Sequence, residues 1–298
     1  MKVALLTPWD NAWVPYFAHA FRNRGCKFTT SATTVNAGEA DIVLHGWAAG
    51  HTQPVEGARN IFFLRRYELF DGGLGRIDWS KADALILVNS WIRERVQEYF
   101  AFKKIRVPTH LIYNGTDAES WTFKRRAHGS RIGMACHVHP KKNLPLALQI
   151  LARLPEDYTL HIAGEVQDPC MAEYLNHLAR RMRRKVYIYG HVQHDQLDVW
   201  WEQMNYCLST SISEGNPNNV IEAMAKGIKP VIHDWPGADD QFEAVNRFVD
   251  LSQAAAQFDP VSRYDSSFYR AQVGEKFSLK NIERAVDIAL NVGEVRCT

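Results

Sequence analysis

The residues best equipped for chemistry lie in one stretch, Ser211-Ile-Ser-Glu214-Gly-Asn-Pro-Asn-Asn-Val-Ile-Glu222-Ala-Met-Ala-Lys-Gly227. A strand precedes it, Gly215 to Pro217 form a turn, and a short helix runs on to near Gly227. Glu214 falls in the loop and Glu222 inside the helix. The first helical residues, Asn218, Asn219 and Val220, present backbone N–H groups with no intrahelical acceptor at the positive end of the dipole. Such an end suits a diphosphate, and two carboxylates beside it suit neutral hydroxyls. By spacing alone, the segment is equally a capped surface helix carrying two ordinary glutamates.

The elements that must position these residues follow an alternating pattern. Apolar runs at Val3–Thr7, Asp41–His45, Ile61–Leu64, Ala84–Asn89 and His110–Tyr113 predict strands. After a polar, basic stretch at 117–130 the pattern restarts with Arg131–Cys136, Thr159–Ala163, Val186–Tyr189, Tyr206–Thr210 and Pro230–Asp234. Runs rich in Val, Ile and Leu suit parallel strands covered on both faces. Between them lie amphipathic helices such as Leu144–Leu154, with Asn143 as cap and Pro145 in the first turn. The expectation is α/β: two Rossmann-like, doubly wound parallel-sheet domains facing a cleft, 1–122 and 123–298. The final helix, about 279–298, is a candidate to pack back onto the first domain.

The chemical segment resembles the Glu-x7-Glu motif of retaining glycosyltransferases of family 4, which have the GT-B fold. Ile221-Glu222-Ala-Met-Ala225 fits that motif closely. Further likenesses cover most of the chain: Ala82–Ser90, Ile112-Tyr-Asn-Gly-Thr-Asp117, Lys142-Asn143, His161-Ile-Ala-Gly-Glu165, Val186-Tyr-Ile-Tyr-Gly-His191 and Phe277-Ser278. The resemblance implies that Glu222 binds the ribose hydroxyls of a nucleotide donor. It implies that Glu214 contacts the transferred sugar and favours positive charge developing at the anomeric carbon. Lys142 would neutralise the departing diphosphate. Gly164 and His191 would line the nucleotide pocket, joined by Gly215 and the helix start at Asn218 to Val220.

Two departures from the family pattern matter. The family places an arginine about five residues before its lysine, and His137 stands there; a neutral imidazole there would hydrogen-bond a phosphate oxygen without bringing a fixed charge. The usual glycine pair after the first strand is replaced by Pro8-Trp9-Asp10-Asn11-Ala-Trp13. Trp9, Asp10, Asn11 and Trp13 are acceptor-side candidates, as aromatics can stack on a sugar, although such residues also serve packing. Arg65, Arg66 and Glu68 follow the third strand as further acceptor-side candidates, or as an interdomain ion pair.

Composition excludes other classes. A net charge of +2 over 298 residues gives no field for nucleic acid. Basic runs at Lys103 to Arg106, Lys124 to Arg126 and Arg180 to Lys185 allow peripheral membrane contact. Five scattered cysteines, no signal-peptide pattern and no spanning apolar run point to a cytoplasmic protein with reduced thiols. Cys136-His137-Val-His139 and His191-Val-Gln-His194 lack the paired spacing of a structural zinc site, so no metal is expected. No Gly-x-Gly-x-x-Gly follows the first strand and no Gly-x-Ser-x-Gly occurs. The expected function is metal-free, retaining transfer of a sugar from a nucleotide-diphosphate donor to a saccharide, glycan or lipid-linked acceptor, with no cofactor beyond the donor. A sugar-nucleotide epimerase of the same fold and a non-catalytic nucleotide-sugar-binding module are the alternatives.

Overall fold

The computed structural model describes residues 1–8, 13–32, 35–36, 38–49 and 52–291. Its strands are β1 (Lys2–Leu6), β2 (Lys27–Ser31), β3 (Ile42–His45), β4 (Arg59–Leu64), β5 (Ala84–Leu87), β6 (Thr109–Leu111), β7 (Arg131–Ala135), β8 (Thr159–Ala163), β9 (Lys185–Ile188), β10 (Tyr206–Ser209), β11 (Lys229–His233) and β12 (Arg247–Phe248). The helices are α1 (Val14–Asn23), α2 (Ser90–Lys103), α3 (Leu144–Arg153), α4 (Pro169–Arg181), α5 (His194–Glu202), α6 (Asn218–Ala225), α7 (Leu251–Ala256), α8 (Ser266–Lys276) and α9 (Lys280–Asn291).

The chain divides into two compact units, residues 116–276 forming the second and the remainder the first. The division falls a few residues before the expected 122/123 boundary. The linker from Ala118 onward is bound into the second unit, where Arg270 pairs with Glu119 and donates to the Trp121 carbonyl.

The first unit is a parallel sheet in the order β2-β1-β3-β4-β5-β6. β3 and β5 are buried at every position, which explains their unbroken apolar sequences. One face of the sheet packs Phe17, Phe21, Ile282 and Val286 from α1 and α9 against Leu5, Leu44, Ile61 and Ile86. The other face packs Ile92, Val96 and Phe100 of α2 against Phe62, Leu64 and Leu87. Asn89 caps α2 through a 2.8 Å bond from the Ile92 N–H. Arg24 ties α1 to α9 through Glu283 at 2.5 Å and Asp287 at 2.8 Å. Arg59 donates to the last α9 carbonyls, Ala289 and Leu290, at 3.1 and 2.6 Å. The last helix therefore belongs to the first unit.

The second unit repeats the plan with the order β12-β11-β10-β7-β8-β9, all pairings parallel. Strand order reverses between β7 and β10, and the loops leaving the carboxyl ends of those two strands meet there. α3 buries Leu144, Ala147, Leu148, Ile150 and Leu151. Asn143 stands at its N-cap position but makes no side-chain cap bond, because its backbone is left-handed at φ 47°.

The basic run Lys124 to Arg126 is largely consumed internally. Lys226, fully buried at the end of α6, meets Asp198 at 2.5 Å and Glu202 at 2.7 Å, while Arg126 meets Glu202 at 2.9 Å. Lys124 also pairs with Glu202. Among the described residues, Arg125 alone of that run makes no such contact. Among the described residues no helix is long and apolar enough to cross a membrane, and Cys26, Cys136, Cys170 and Cys207 are free thiols.

Loss of the Lys226 ammonium leaves Glu202 with Arg126 and Lys124 but takes the cation from the partly exposed Asp198, at a cost of about 1 kcal/mol. Lys226→Met should therefore lower the urea-denaturation stability by about that amount. A loss below about 0.5 kcal/mol, the level of an ordinary surface change, would show that Asp198 does not depend on it.

Candidate functional site

Three loops at the carboxyl end of the second sheet carry the predicted donor residues. After β7 the chain passes Cys136, His137 and Val138 and enters a short 3-10 turn at Pro140–Lys142. His139 caps that turn, its Nδ1 accepting the Lys141 N–H at 3.1 Å. Its imidazole thus serves local geometry, as does Cys136, whose buried thiol is pushed up to about 11. The Val138 N–H donates to the Glu165 carbonyl at 2.9 Å, linking this loop to the one after β8. Gly164 is required there: a β-carbon would stand 2.1 Å from the Cys136 carbonyl oxygen. Its N–H donates to the Gly190 carbonyl at 2.7 Å, which brings in the segment holding exposed His191.

The loop after β10 is fastened to the Lys141-Lys142 turn. The Thr210 hydroxyl donates to the Lys142 carbonyl at 2.7 Å, and the Ile212 N–H donates to the Lys141 carbonyl at 3.1 Å. This brings Glu214, only 8% exposed, to the two lysines. Lys142 Nζ lies 2.6 Å from Oε1 and Lys141 Nζ 3.5 Å from Oε2. The Ser211 hydroxyl adds a 2.7 Å bond to Oε1. Burial alone would raise the Glu214 carboxyl, but Lys142 and Lys141, with the Lys142 and Ser211 hydrogen bonds, overcome it and hold the group at about 2. Glu214 is thus an anion throughout the physiological range.

Gly215 and α6 come next. Gln241 fixes the turn by donating to the Gly215 carbonyl at 2.9 Å. Asn218, Asn219 and Val220 form the first turn of α6, behind Pro217 and with no side-chain cap. Glu222 has the opposite environment to Glu214. Its carboxylate meets no hydrogen-bond donor and no cation among the described residues, and burial raises it to about 7. The two glutamates, alike in sequence, are therefore a compensated anion and an uncompensated carboxyl.

His137 is exposed, its Nδ1 4.0 Å from Glu165. Its pKa is lowered, first by desolvation; Glu165 raises it, while Lys142, His191 and Lys141 lower it further. The imidazole is accordingly neutral at pH 7. Lys141 and Ser211 are site residues that the sequence reading passed over. Lys141 was visible as the neighbour of Lys142, whereas Ser211 carried no signal beyond its place at the strand end. Among the described residues no group of three or more His, Cys, Asp or Glu side chains is arranged to hold a metal ion.

In the first unit, Trp9, Asp10 and Asn11 lie outside the described residues. Trp13 is buried and lies beside Arg65, whose guanidinium stands 4.7 Å from its ring centroid. Trp47 at 5.6 Å and Phe63 at 5.9 Å complete three aromatic walls. Asn114 accepts from Arg65 Nη1 at 2.6 Å. Glu68, 1% exposed, accepts the backbone N–H groups of Arg65 and Arg66 at 3.3 and 3.1 Å. It makes no ion pair with either guanidinium among the described residues. Trp47 and Asn114 are the partners the sequence left unmarked.

A carboxyl raised from its ordinary 4.5 to about 7 has a definite signature. As pH climbs through that window the unfolded chain gives up a proton that the folded chain retains, so stability falls, then levels above 7. Glu222→Gln stays neutral and should exceed the native chain by on the order of 2 kcal/mol at pH 8, with little difference at pH 4.5. Urea titrations of both proteins across that range check this, and a pH-independent difference would contradict the environment described for Glu222.

Known proteins add to this geometry. Residues 129–257 match the family model described as Glycosyl transferases group 1. No curated protein sequence matches the chain. Among solved structures, the chain is similar to Anabaena HepE in complex with UDP-glucose, with TM-score 0.76 and 15% identity over 97% of this chain and 99% of that one. A glycosyltransferase from Rickettsia africae gives TM-score 0.73 at 13% identity, covering 99% of each chain. The apo form of the lipopolysaccharide outer core galactosyltransferase WaaB gives 0.71 at 15%, covering 97% and 99%. The two parallel six-stranded sheets with flanking helices are the GT-B fold, and the segment similar to the Glycosyl transferases group 1 model lies within the second unit.

Proposed function

We propose that the protein is a retaining glycosyltransferase that moves a sugar from a nucleotide-diphosphate donor to a hydroxyl of a saccharide or lipid-linked acceptor, without a metal ion. The observation that carries this reading is the pairing of Glu214 with Lys142 and Lys141 at the strand-order reversal, beside the start of α6. Two ammonium groups facing one carboxylate leave a net positive charge, and each ammonium has three N–H donors. Lys142 can therefore serve Glu214 and a phosphate oxygen together. The start of α6 adds the positive end of its dipole toward the diphosphate.

Glu222, a carboxyl without a partner, suits the ribose hydroxyls, which donate to it without bringing charge. Glu214 suits the hydroxyls of the transferred sugar and the charge that builds at its anomeric carbon. In the reaction the anomeric carbon–oxygen bond to the diphosphate breaks as the acceptor oxygen bonds to that carbon from the same face. The acceptor proton passes to the departing phosphate oxygen. His137, neutral at pH 7, acts as a hydrogen-bonding group toward phosphate in place of a fixed charge. Solved relatives hold UDP and UDP-glucose, so uridine nucleotides are the first donors to test, beside guanosine and adenosine diphosphate sugars. The acceptor is assigned to the loops of the first unit, through Trp13, Arg65 and Arg66. Peripheral membrane contact rests on the exposed run Arg180 to Lys185, and a cytoplasmic setting fits the free thiols.

Three measurements test this. Glu222→Ala should weaken donor binding by about ten- to a hundredfold in calorimetry, with a smaller change in the single-turnover rate at saturating donor, since ribose contacts persist in ground and transition state. Lys142→Ala should instead lower that rate by about a hundredfold or more. The anomeric coupling of the product, read by NMR with and without a chelator, should show retention and no metal requirement. An inverted product, or activity abolished by chelation and restored by magnesium, would overturn the mechanism.

A further inference from the structure

Two consecutive arginines, Arg65 and Arg66, stand at the carboxyl end of β4 with no carboxylate at ion-pair distance from either guanidinium among the described residues. Glu68 is the acidic group whose field reaches Arg65, but its oxygens are taken up by main-chain N–H groups. Glu68 thus fixes the path of the loop and leaves both arginine forks uncompensated. Arg65 Nη1 bonds Asn114, a neutral acceptor, and its Nε is buried without any hydrogen-bond partner. Arg66 Nε is likewise buried without a partner, and its guanidinium stands 5.3 Å from the Phe70 ring. Taking a guanidinium out of water without an anion is costly, and aromatic walls recover only part of that cost. The loop carries Arg65 among these walls and the partly exposed Arg66 next to it in sequence.

The same loop exposes flat apolar faces. Tyr67 and Phe70 are 61% and 60% exposed, and Phe70 stacks on Trp91 at 6.5 Å. Such rings cover the C–H face of a pyranose while a paired arginine fork reads a planar or tetrahedral anion. We infer that the acceptor is a saccharide bearing an anionic substituent, a carboxylate or a phosphate ester, held by Arg65 and Arg66 with Tyr67 and Phe70 beside it. This rests on the transferase reading above and names the substrate class for its acceptor side. An uncharged sugar would leave both arginines without a counter-ion and lose the larger part of the recognition.

The test uses the full chain in ligand-observed NMR titrations, in the absence and presence of saturating UDP, which covers the phosphate-binding groups around Lys142. The probes are glucose, glucuronic acid, glucose 6-phosphate and inorganic phosphate. Glucuronic acid or glucose 6-phosphate should bind at least tenfold more tightly than glucose, and the stronger of the two identifies the anion. Arg66→Gln and Arg65→Met should each reduce that preference to about twofold or less, with UDP affinity unchanged. Should Arg65→Met fail to fold, the partly exposed Arg66→Gln alone decides. Equal binding of glucose and the acidic sugars, or a preference that survives Arg66→Gln, overturns the inference. Inorganic phosphate binding as tightly as glucose 6-phosphate also overturns it, because no sugar would then be recognised. UDP binding without acidic-sugar preference sinks this inference and leaves the transferase reading intact; failure of every nucleotide donor to bind sinks that reading instead.

Discussion

An ionised carboxylate buried away from water must bring its own cation, and the second unit is organised around one such obligation. Glu214 lies at the end of the β10 loop, and its counter-ions come from the β7 loop, adjacent across the sheet but some seventy residues earlier in the chain. The pairing therefore holds together the two strands between which the order of the sheet reverses. Backbone bonds from Thr210 and Ile212 to the lysine carbonyls make the same junction independently of charge. Gly164, squeezed against Cys136, extends it to the third loop. The site is thus a consequence of topology, and the charges are fixed before any ligand arrives.

The far end of α6 is held by the same principle in a different form. Lys226 is sealed between Asp198 and Glu202, and Arg126 bonds both Glu202 and the Lys226 carbonyl. One end of this short helix is therefore anchored by buried ion pairs, while the other, at Asn218, has no side-chain cap. Helices of eight residues have little stability of their own, so tertiary contacts must fix where the open end points. The ion pairs at Lys226 do so without drawing on Asn218, Asn219 or Val220.

Much of the fold was legible because fully buried parallel strands write themselves as unbroken apolar runs. β3, β5 and β10 are buried at every residue and were read directly. β2 was missed because Lys27-Phe-Thr-Thr-Ser31 buries only Phe28 on a sheet edge, and β12 because two residues carry no period. Asn143 was read as a capping side chain, but its backbone conformation removes that option. In the site, the type and spacing of Glu214, Glu222 and Lys142 were visible. Their contrast was not: whether a carboxylate meets two lysines or none depends on which loops the sheet order brings together. Likewise the sequence did not show that the main chain of the β4 loop takes up the Glu68 carboxylate.

The placement of α9 has a consequence for how the chain reaches its native state. The helix covers one face of the first sheet, supplying Ile282 and Val286 to its core and receiving Arg24 and Arg59 at its surface. Yet it follows the whole of the second unit in sequence. On a ribosome, Leu5, Leu44 and Ile61 would emerge early and wait for this cover while some 160 residues, about as many as 116–276 span, are still to be synthesised. The second unit, by contrast, is contiguous and meets no such delay. The part of the molecule made first is thus the part completed last, and in the interval an apolar sheet face stands open to whatever else is nascent nearby.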